Sequence, residues 1–256
     1  MLRAQRHKLI LDLVNRMGFV TMDDLLAEVG ISPATAHRDI SFLAENNQLI
    51  KVRGGAKAIT SESVARQEPS FAAKQMVNLA EKQRIALAAK RHIHLGDKIM
   101  LDSGTTVLEL AKLIEDDDQI TVATNDIRIA SVITEKPSIN LLLIGGMIRK
   151  GFCSSYGFFA EHMMRDITVN RIFLSVDAID SDFGIMSYTM DDVNVKKIGM
   201  LNAKETILLC DHSKFTTPAL FSIDSLDKVD VIIVGNEIDP AILLRLRQLG
   251  KIVEVV

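Results

Sequence analysis

Apolar residues recur at Leu9, Ile10, Leu13, Val14 and Met17, a helical spacing that predicts an amphipathic helix over 3–17 stopped by Gly18. Thr21 with Asp24 three residues on resembles a capping box, and Leu25, Leu26 and Val29 place a short second helix ending at Gly30. Ser32 is a good N-cap and Pro33 suits the first position of a third helix, where its missing N–H would be unpaired anyway. That helix carries Ile40 and Leu43 inward and runs to about Glu45. Residues 49–59 then read as two short strands around Gly54-Gly55. Three helices, a tight glycine turn before the third and a basic hairpin make the layout of a winged helix-turn-helix.

Beyond it the periodicity changes. Residues 60–74 are polar and weakly periodic, a linker, and a helix is expected over 81–93. Strand-like runs at 99–101, 120–123, 140–144, 171–176, 206–210, 231–234 and 251–255 are interleaved with helical runs at 106–114, 127–134, 157–167, 192–203 and 240–249. Such alternation predicts an α/β domain with a mostly parallel sheet. The expected division is therefore 1–59 for the winged helix-turn-helix, 60–74 for the linker and 75–256 for an α/β effector-sensing domain.

Composition adds exclusions. Of 256 residues 48% are hydrophobic and 25% charged, ordinary for a soluble globular chain. The apolar run at 139–148 is broken by two glycines and falls well short of the roughly 18 residues of a membrane span. The basic N-terminus is not followed by a signal-like apolar stretch, so the expected location is cytoplasmic. Cys153 and Cys210 are too few for a disulfide framework or a CxxC metal site, and Cys210, at the end of an apolar run, reads as a buried inert thiol. His92, His94 and His212 lack partners at metal-ligand spacing, so neither metal nor cofactor is expected.

The net charge of −3 hides an asymmetry: residues 1–59 hold eight basic and six acidic side chains, so this end is positive and the remainder negative. Residues early in a recognition helix enter the major groove, which selects Ser32, Ala34, Thr35, His37 and Arg38, with Arg38 suited to a bidentate grip on guanine. Taken singly, each could equally be part of a solvated helix face. Asp39, an anion beside DNA, is expected to orient Arg38 or to cap locally. Lys51, Arg53 and Lys57 flank the wing glycines and suit phosphate contact.

A second constellation begins where the strand at 99–101 meets its helix: Asp102, Ser103, Gly104, Thr105 and Thr106. Amide groups at a helix start, with hydroxyls beside them, form an anion site, although an ordinary N-cap turn has the same look. Thr124 and Asn125 follow the next strand, and Gly145 and Gly146 the third, with Arg149 shortly after. Parallel strands end on one sheet edge, where ligands bind. Asp177, Asp211 and Lys214 are further post-strand residues of that edge, the last two alternatively a plain surface ion pair.

Arg6 to Leu13, Gly18-Phe-Val, Ile31-Ser-Pro-Ala-Thr-Ala-His-Arg-Asp-Ile and Val52-Arg-Gly-Gly-Ala resemble the N-terminal signature of DeoR/GlpR-type bacterial repressors. The likeness continues through Gly96-Asp97, Leu101-Asp-Ser-Gly-Thr-Thr, Thr124-Asn125, Gly145-Gly146, Phe183-Gly-Ile, Val195-Lys196 and Cys210-Asp-His-Ser-Lys-Phe. This resemblance implies a C-terminal domain similar to ribose-5-phosphate isomerase and the coenzyme A transferases, and a phosphorylated sugar or related metabolite as effector. It implies that the loop at Ser103–Thr106 takes the phosphate, with Lys196 and Lys214 at basic positions near the ligand. The chain departs from the family's usual residues at His37, where a second Arg is common, and at Asn47, where Gly is frequent.

The expected function is transcriptional regulation, most simply repression of a carbohydrate operon. The expected partners are operator DNA, a sugar phosphate and further copies of the chain as a dimer or tetramer, with no membrane. Activation within the same family is the alternative regulatory sign. A sugar-phosphate isomerase is the alternative in a different class; it needs a carboxylate base, yet Val195 stands where the resembled isomerases carry glutamate, leaving Asp177 or Asp180 to substitute. An enzyme would also have no use for residues 1–59, so none is expected.

Overall fold

The computed structural model of the protein describes residues 3–45, 48–52, 54–58, 68–116, 119–217 and 219–256, the side chains of Ala4 and Glu45 excepted. The chain divides into two compact units, Met1–Ala73 and Lys74–Val256.

In the first unit α1 (Arg3–Met17) leads through β1 (Phe19–Thr21) into α2 (Met22–Val29), α3 (Pro33–Glu45), β2 (Ile50–Val52) and β3 (Gly55–Lys57). The capping box forms: the Thr21 hydroxyl accepts from the Asp24 N–H at 3.1 Å, and the Asp24 carboxylate accepts from the Thr21 N–H at 2.8 Å. Gly30 ends α2 in the left-handed region at φ 68°, the conformation that makes glycine the default there. Ile10, Leu13 and Val14 of α1 pack with Leu25, Val29, Ile40 and Leu43 into one core. The three strands pair antiparallel in the order β1-β3-β2. Strand β1 has no counterpart in the sequence reading, because three residues between a glycine and a helix cap carry too little alternation to reveal it.

In the second unit α4 (Phe71–Met76), which starts just before the boundary, and α5 (Leu79–Lys90) precede the sheet. The linker expected over 60–74 thus ends in helix; 60–67 lie outside the described residues. Then follow β4 (Lys98–Leu101), α6 (Thr105–Leu113), β5 (Thr121–Thr124), α7 (Ile127–Thr134), β6 (Asn140–Leu143), the hairpin β7 (Met147–Ile148) and β8 (Ser155–Tyr156), and α8 (Phe158–Arg165). The chain continues through β9 (Val169–Ser175), β10 (Ala178–Ile179), β11 (Gly184–Ser187), α9 (Met190–Leu201), β12 (Ala203–Leu209), β13 (Phe221–Ser225), β14 (Val231–Val234), α10 (Pro240–Gln248) and β15 (Ile252–Val255).

Seven of these strands form one sheet in the order β15-β14-β12-β9-β4-β5-β6, every pair parallel. The five inner strands, largely buried, read as near-continuous apolar runs, while the edge strands β6 and β15 remain partly exposed. Alternate residues Met100, Ala123, Ile172, Leu174, Leu208, Ile232 and Val234 share a core with Ala160 and Met164 of α8, Val193, Val195 and Met200 of α9 and Leu246 of α10. A small antiparallel sheet, β10-β11-β13, adds Ile179, Ile185 and Ile223 to the same core. Helices α5, α6 and α7 pack side by side, with α5 also against β12 and β14 and α6 against β9.

Strand order marks a candidate crevice. From β4 the chain steps to β5 and β6 on one side, whereas β9, β12, β14 and β15 extend the sheet on the other. Connections leaving β4 and β9 therefore diverge, and the crevice outside their carboxyl ends is a topological switch point. Among the described residues no helix is long and apolar enough to cross a membrane.

Candidate functional site

The first unit presents one face of α3. Ser32, Ala34, His37 and Arg38 are exposed and Thr35 is half-buried, while Ala36, Asp39, Ile40 and Leu43 turn inward. Ser32 caps the helix, its Oγ accepting from the Thr35 N–H at 3.3 Å. Lys51 donates to the Ser41 hydroxyl at 2.9 Å, which positions the wing lysine against the recognition helix. Lys57 is exposed, and Arg53 lies outside the described residues.

Asp39 departs from its expected role. It neither orients Arg38 nor caps locally; it is buried and accepts from Arg6 and, at 3.0 Å, pairs with His7 Nε2. Burial opposes ionisation of this carboxyl, but Arg6 and His7 outweigh it and hold its pKa below the ordinary aspartate value. Their distance in sequence, more than thirty residues, hid the contact.

In the second unit the post-strand residues meet the edge that the parallel sheet dictates. After β4, the Asp102 N–H donates to the Phe173 carbonyl at 3.1 Å, and the Asp102 carboxylate accepts from the Ser175 N–H at 2.9 Å. Lys196, from α9, pairs with the same carboxylate and donates to the Ser175 carbonyl at 2.8 Å. Asp102 and Lys196 are both buried, and burial raises the Asp102 pKa despite the neighbouring ammonium. A Cβ at Gly104 would stand 2.2 Å from Ser175 Oγ, so only glycine lets the two strand ends close up.

Gly104 also supplies no capping side chain to α6. Asn78 and Gly157 likewise give α5 and α8 no side-chain cap, whereas α7, α9 and α10 have their first-turn amides bonded by Asp126, Thr189 and Asp239. An uncapped helix start at a switch point is a place for an anion. Ser103 and Gly104 are half-buried there, whereas the Thr105 and Thr106 side chains expected to line the loop are buried, at 8% and 3% exposure.

Around this point lie further pairs. Lys74 binds Asp177 at 2.6 Å, and Asp177 also accepts from the Ser187 hydroxyl and the Tyr188 N–H at 3.2 and 3.1 Å. Burial would raise the Asp177 pKa, yet Lys74, the Tyr188 N–H and the Lys196 ammonium bring it to about 2. Arg149, on the β7–β8 hairpin, binds Asp192 of α9 at 2.8 Å and lies 4.0 Å from the Phe152 ring centre. Ser103 donates to Asp126 at 2.8 Å, so its hydroxyl is engaged by a carboxylate that sequence reasoning had not selected.

Other predicted residues sit beneath or beside the site. Thr124 is fully buried, its hydroxyl accepting from the Asp126 N–H, and Asn125 donates to the Ser155 carbonyl while its buried Oδ1 has no partner among the described residues. Gly146 is tightly packed: a Cβ there would come 2.7 Å from the Tyr156 carbonyl. Gly145 is exposed. Asp211 accepts from Asn78 at 2.9 Å, and Lys214 is half-buried nearby. Sequence spacing missed Lys74, Asp126, Phe152, Tyr188 and Asp192, most of whose side-chain partners lie far away in the chain.

Glu81, Asp211 and His212 have donor atoms within 4.8 Å of one another, a proximity that the spacing of histidines did not show. Glu81 already accepts from His212 at 2.8 Å, and the ammonium groups of Lys82 and Lys214 influence Asp211 directly. Cys210 is buried, and burial pushes its thiol pKa far up. Asp180 accepts from the Asp182 and Gly184 N–H groups of its own turn, and Asp177 is held by Lys74, Ser187 and Tyr188, so both carboxylates left to substitute as the base are already engaged.

Among solved structures, ribose 5-phosphate isomerase A from Methanocaldococcus jannaschii is similar at a TM-score of 0.41 and 16% identity, covering 54% of this chain and 55% of that one. A putative aga operon transcriptional repressor of Escherichia coli O157:H7 is 32% identical over 99% of this chain and 93% of its own. A glycerol-3-phosphate regulon repressor of Escherichia coli K12 is 29% identical over 91% of this chain and 90% of its own. Residues 6–62 match the DeoR-like helix-turn-helix domain and 77–236 the DeoR C terminal sensor domain. With both domains matched in order over most of its length, the chain belongs to the DeoR family of DNA-binding transcriptional regulators.

Proposed function

We propose that the chain represses a carbohydrate operon and is released from its operator when a phosphorylated sugar binds at the switch point of the second unit. The observation that carries this reading is the uncapped start of α6 at Gly104, set beside Lys196 at the divergence of β4 and β9. A phosphate accepts hydrogen bonds from first-turn amides and is favoured by the helix dipole. The effector set is Asp102, Ser103, Gly104, Thr105, Thr106, Arg149, Asp177, Lys196, Asp211 and Lys214, with Thr124, Asn125, Gly145 and Gly146 shaping the edge. The DNA set is Ser32, Ala34, Thr35, His37, Arg38, Lys51, Arg53 and Lys57. The names of the two repressors above favour repression over activation, and a dimer or tetramer fits a protein that reads paired half-sites.

The test is operator binding by gel shift, using a duplex that the protein selects from a random pool. Adding one member of a panel of phosphorylated sugars should weaken binding. Tighter binding on addition would mark a co-repressor, and affinity unchanged across the panel would reject the effector reading.

A further inference from the structure

The chain enters its second unit through 74–82, and this short stretch is bonded to two of the strand ends that form the site edge. Lys74 holds Asp177 after β9, and Asn78 donates to Asp211 after β12 at 2.9 Å. Asn78 sits in the left-handed region at φ 54°, unusual outside glycine, at the start of α5. Lys82, itself buried, donates to the carbonyls of Lys74 and Val77, fastening the end of α4 to α5. The Lys74 ammonium lies 5.3 Å from the Phe152 ring centre and 5.2 Å from that of Tyr188, and Arg149 lies over the same Phe152 ring.

We infer that Lys74 and Asn78 read effector occupancy and transmit it to the chain leading back to the first unit. The inference rests on the effector reading of the switch-point site. Asp102, Asp177, Asp192 and Asp211 face this edge, each already matched to a cation or amide donor, and Asp126 accepts from Ser103 beside them. An entering phosphate adds negative charge and draws the cations of the cluster towards itself. Lys196 belongs to α9 and Arg149 to the hairpin. Of the two entry-segment cations, Lys82 is bonded to the carbonyls of Lys74 and Val77, and Lys74 is the one paired with a carboxylate of the edge and next in the chain to Ala73, where the first unit ends. Re-pairing Lys74 away from Asp177 therefore changes the hold on the connection itself, giving the two sites a shared element with two arrangements.

The experiment uses the full chain, the selected duplex and the sugar-phosphate panel, with inorganic phosphate as control. DNA affinity is measured with and without saturating ligand, and ligand binding is followed separately by calorimetry. Wild type should shift its DNA affinity by about tenfold or more, within the usual range for coupled sites. Lys74→Met should bind DNA as wild type does without ligand, yet lose most of the shift at saturation, and Lys74→Arg should restore it. Asn78→Gly keeps the left-handed backbone while deleting the amide, and should lower the shift in a protein that folds normally. A responsive wild type with equally responsive Lys74→Met and Asn78→Gly variants would overturn this inference alone. A wild type indifferent to the whole panel would overturn the effector reading and this inference together.

Discussion

A carboxylate with 1% of its surface exposed is tolerable only when paired, and Asp102 has Lys196 and the Ser175 N–H for that purpose. Replacing Lys196 with Met strands the charge, and the expected loss is about 3–5 kcal/mol in denaturant unfolding of the full chain. Adding Asp102→Asn should recover part of it, since both buried charges are then gone. Asp177 carries a pH dependence of definite sign. Its pKa of about 2 lies below the ordinary aspartate value, so the unfolded chain binds this proton first on acidification. The stability it supplies is complete above about pH 4. It is lost as pH falls towards 2, on the order of 2 kcal/mol in all. Asp177→Asn should flatten unfolding free energy against pH in that window; an unaltered acid limb would show that Lys74 does not hold the carboxylate in solution. None of these pairings was legible beforehand, because Asp102 and Lys196 are 94 residues apart and Lys74 and Asp177 103.

At the scale of elements, legibility followed length and period. The helices of the first unit announced themselves through 3.6-residue spacing with a capping box at Thr21 and a stop at Gly30, and the seven strands of the large sheet stood out as apolar runs between helices. The pieces that escaped were β1, the β7–β8 hairpin and the β10-β11-β13 sheet, whose strands are two to five residues long and owe their existence to pairing across the fold. The candidate site was legible as a set of loops after strands, which a parallel sheet must bring to one edge; what filled it was not. Two predictions belong here. A Cβ at Gly30 would meet nothing within 4 Å, so Gly30→Ala should cost only its backbone strain at φ 68°, about 1–2 kcal/mol by thermal unfolding, and Gly30→Asn less. On the exposed face of α3, Arg38→Ala should cost about 1–3 kcal/mol of operator binding and relax the preference at one base, whereas Lys57→Ala should weaken all duplexes alike and reduce the salt slope by about 1. Equal effects of the two on every sequence would show that Arg38 touches backbone.

For the whole molecule, regulation is a free energy shared between two units that each have their own core. An effector that weakens operator binding by some factor must itself be bound more weakly, by that same factor, when the operator is present. Couplings of about 1–3 kcal/mol are usual, so the factor should fall between roughly 5 and 150. The expected result is one number obtained twice: from DNA titrations at zero and saturating sugar phosphate, and from calorimetric titration of the sugar phosphate into free and operator-bound protein. The charge distribution makes ionic strength a control on this pair of measurements, since phosphate contacts by the positive first unit are salt-dependent while ion pairs buried in the second are screened much less. Raising the salt should therefore lower DNA affinity in both the presence and the absence of effector, leaving their ratio nearly constant. A ratio that collapses with salt would mean that the effector acts by direct charge competition at the DNA face, and the coupling through the second unit would have to be abandoned.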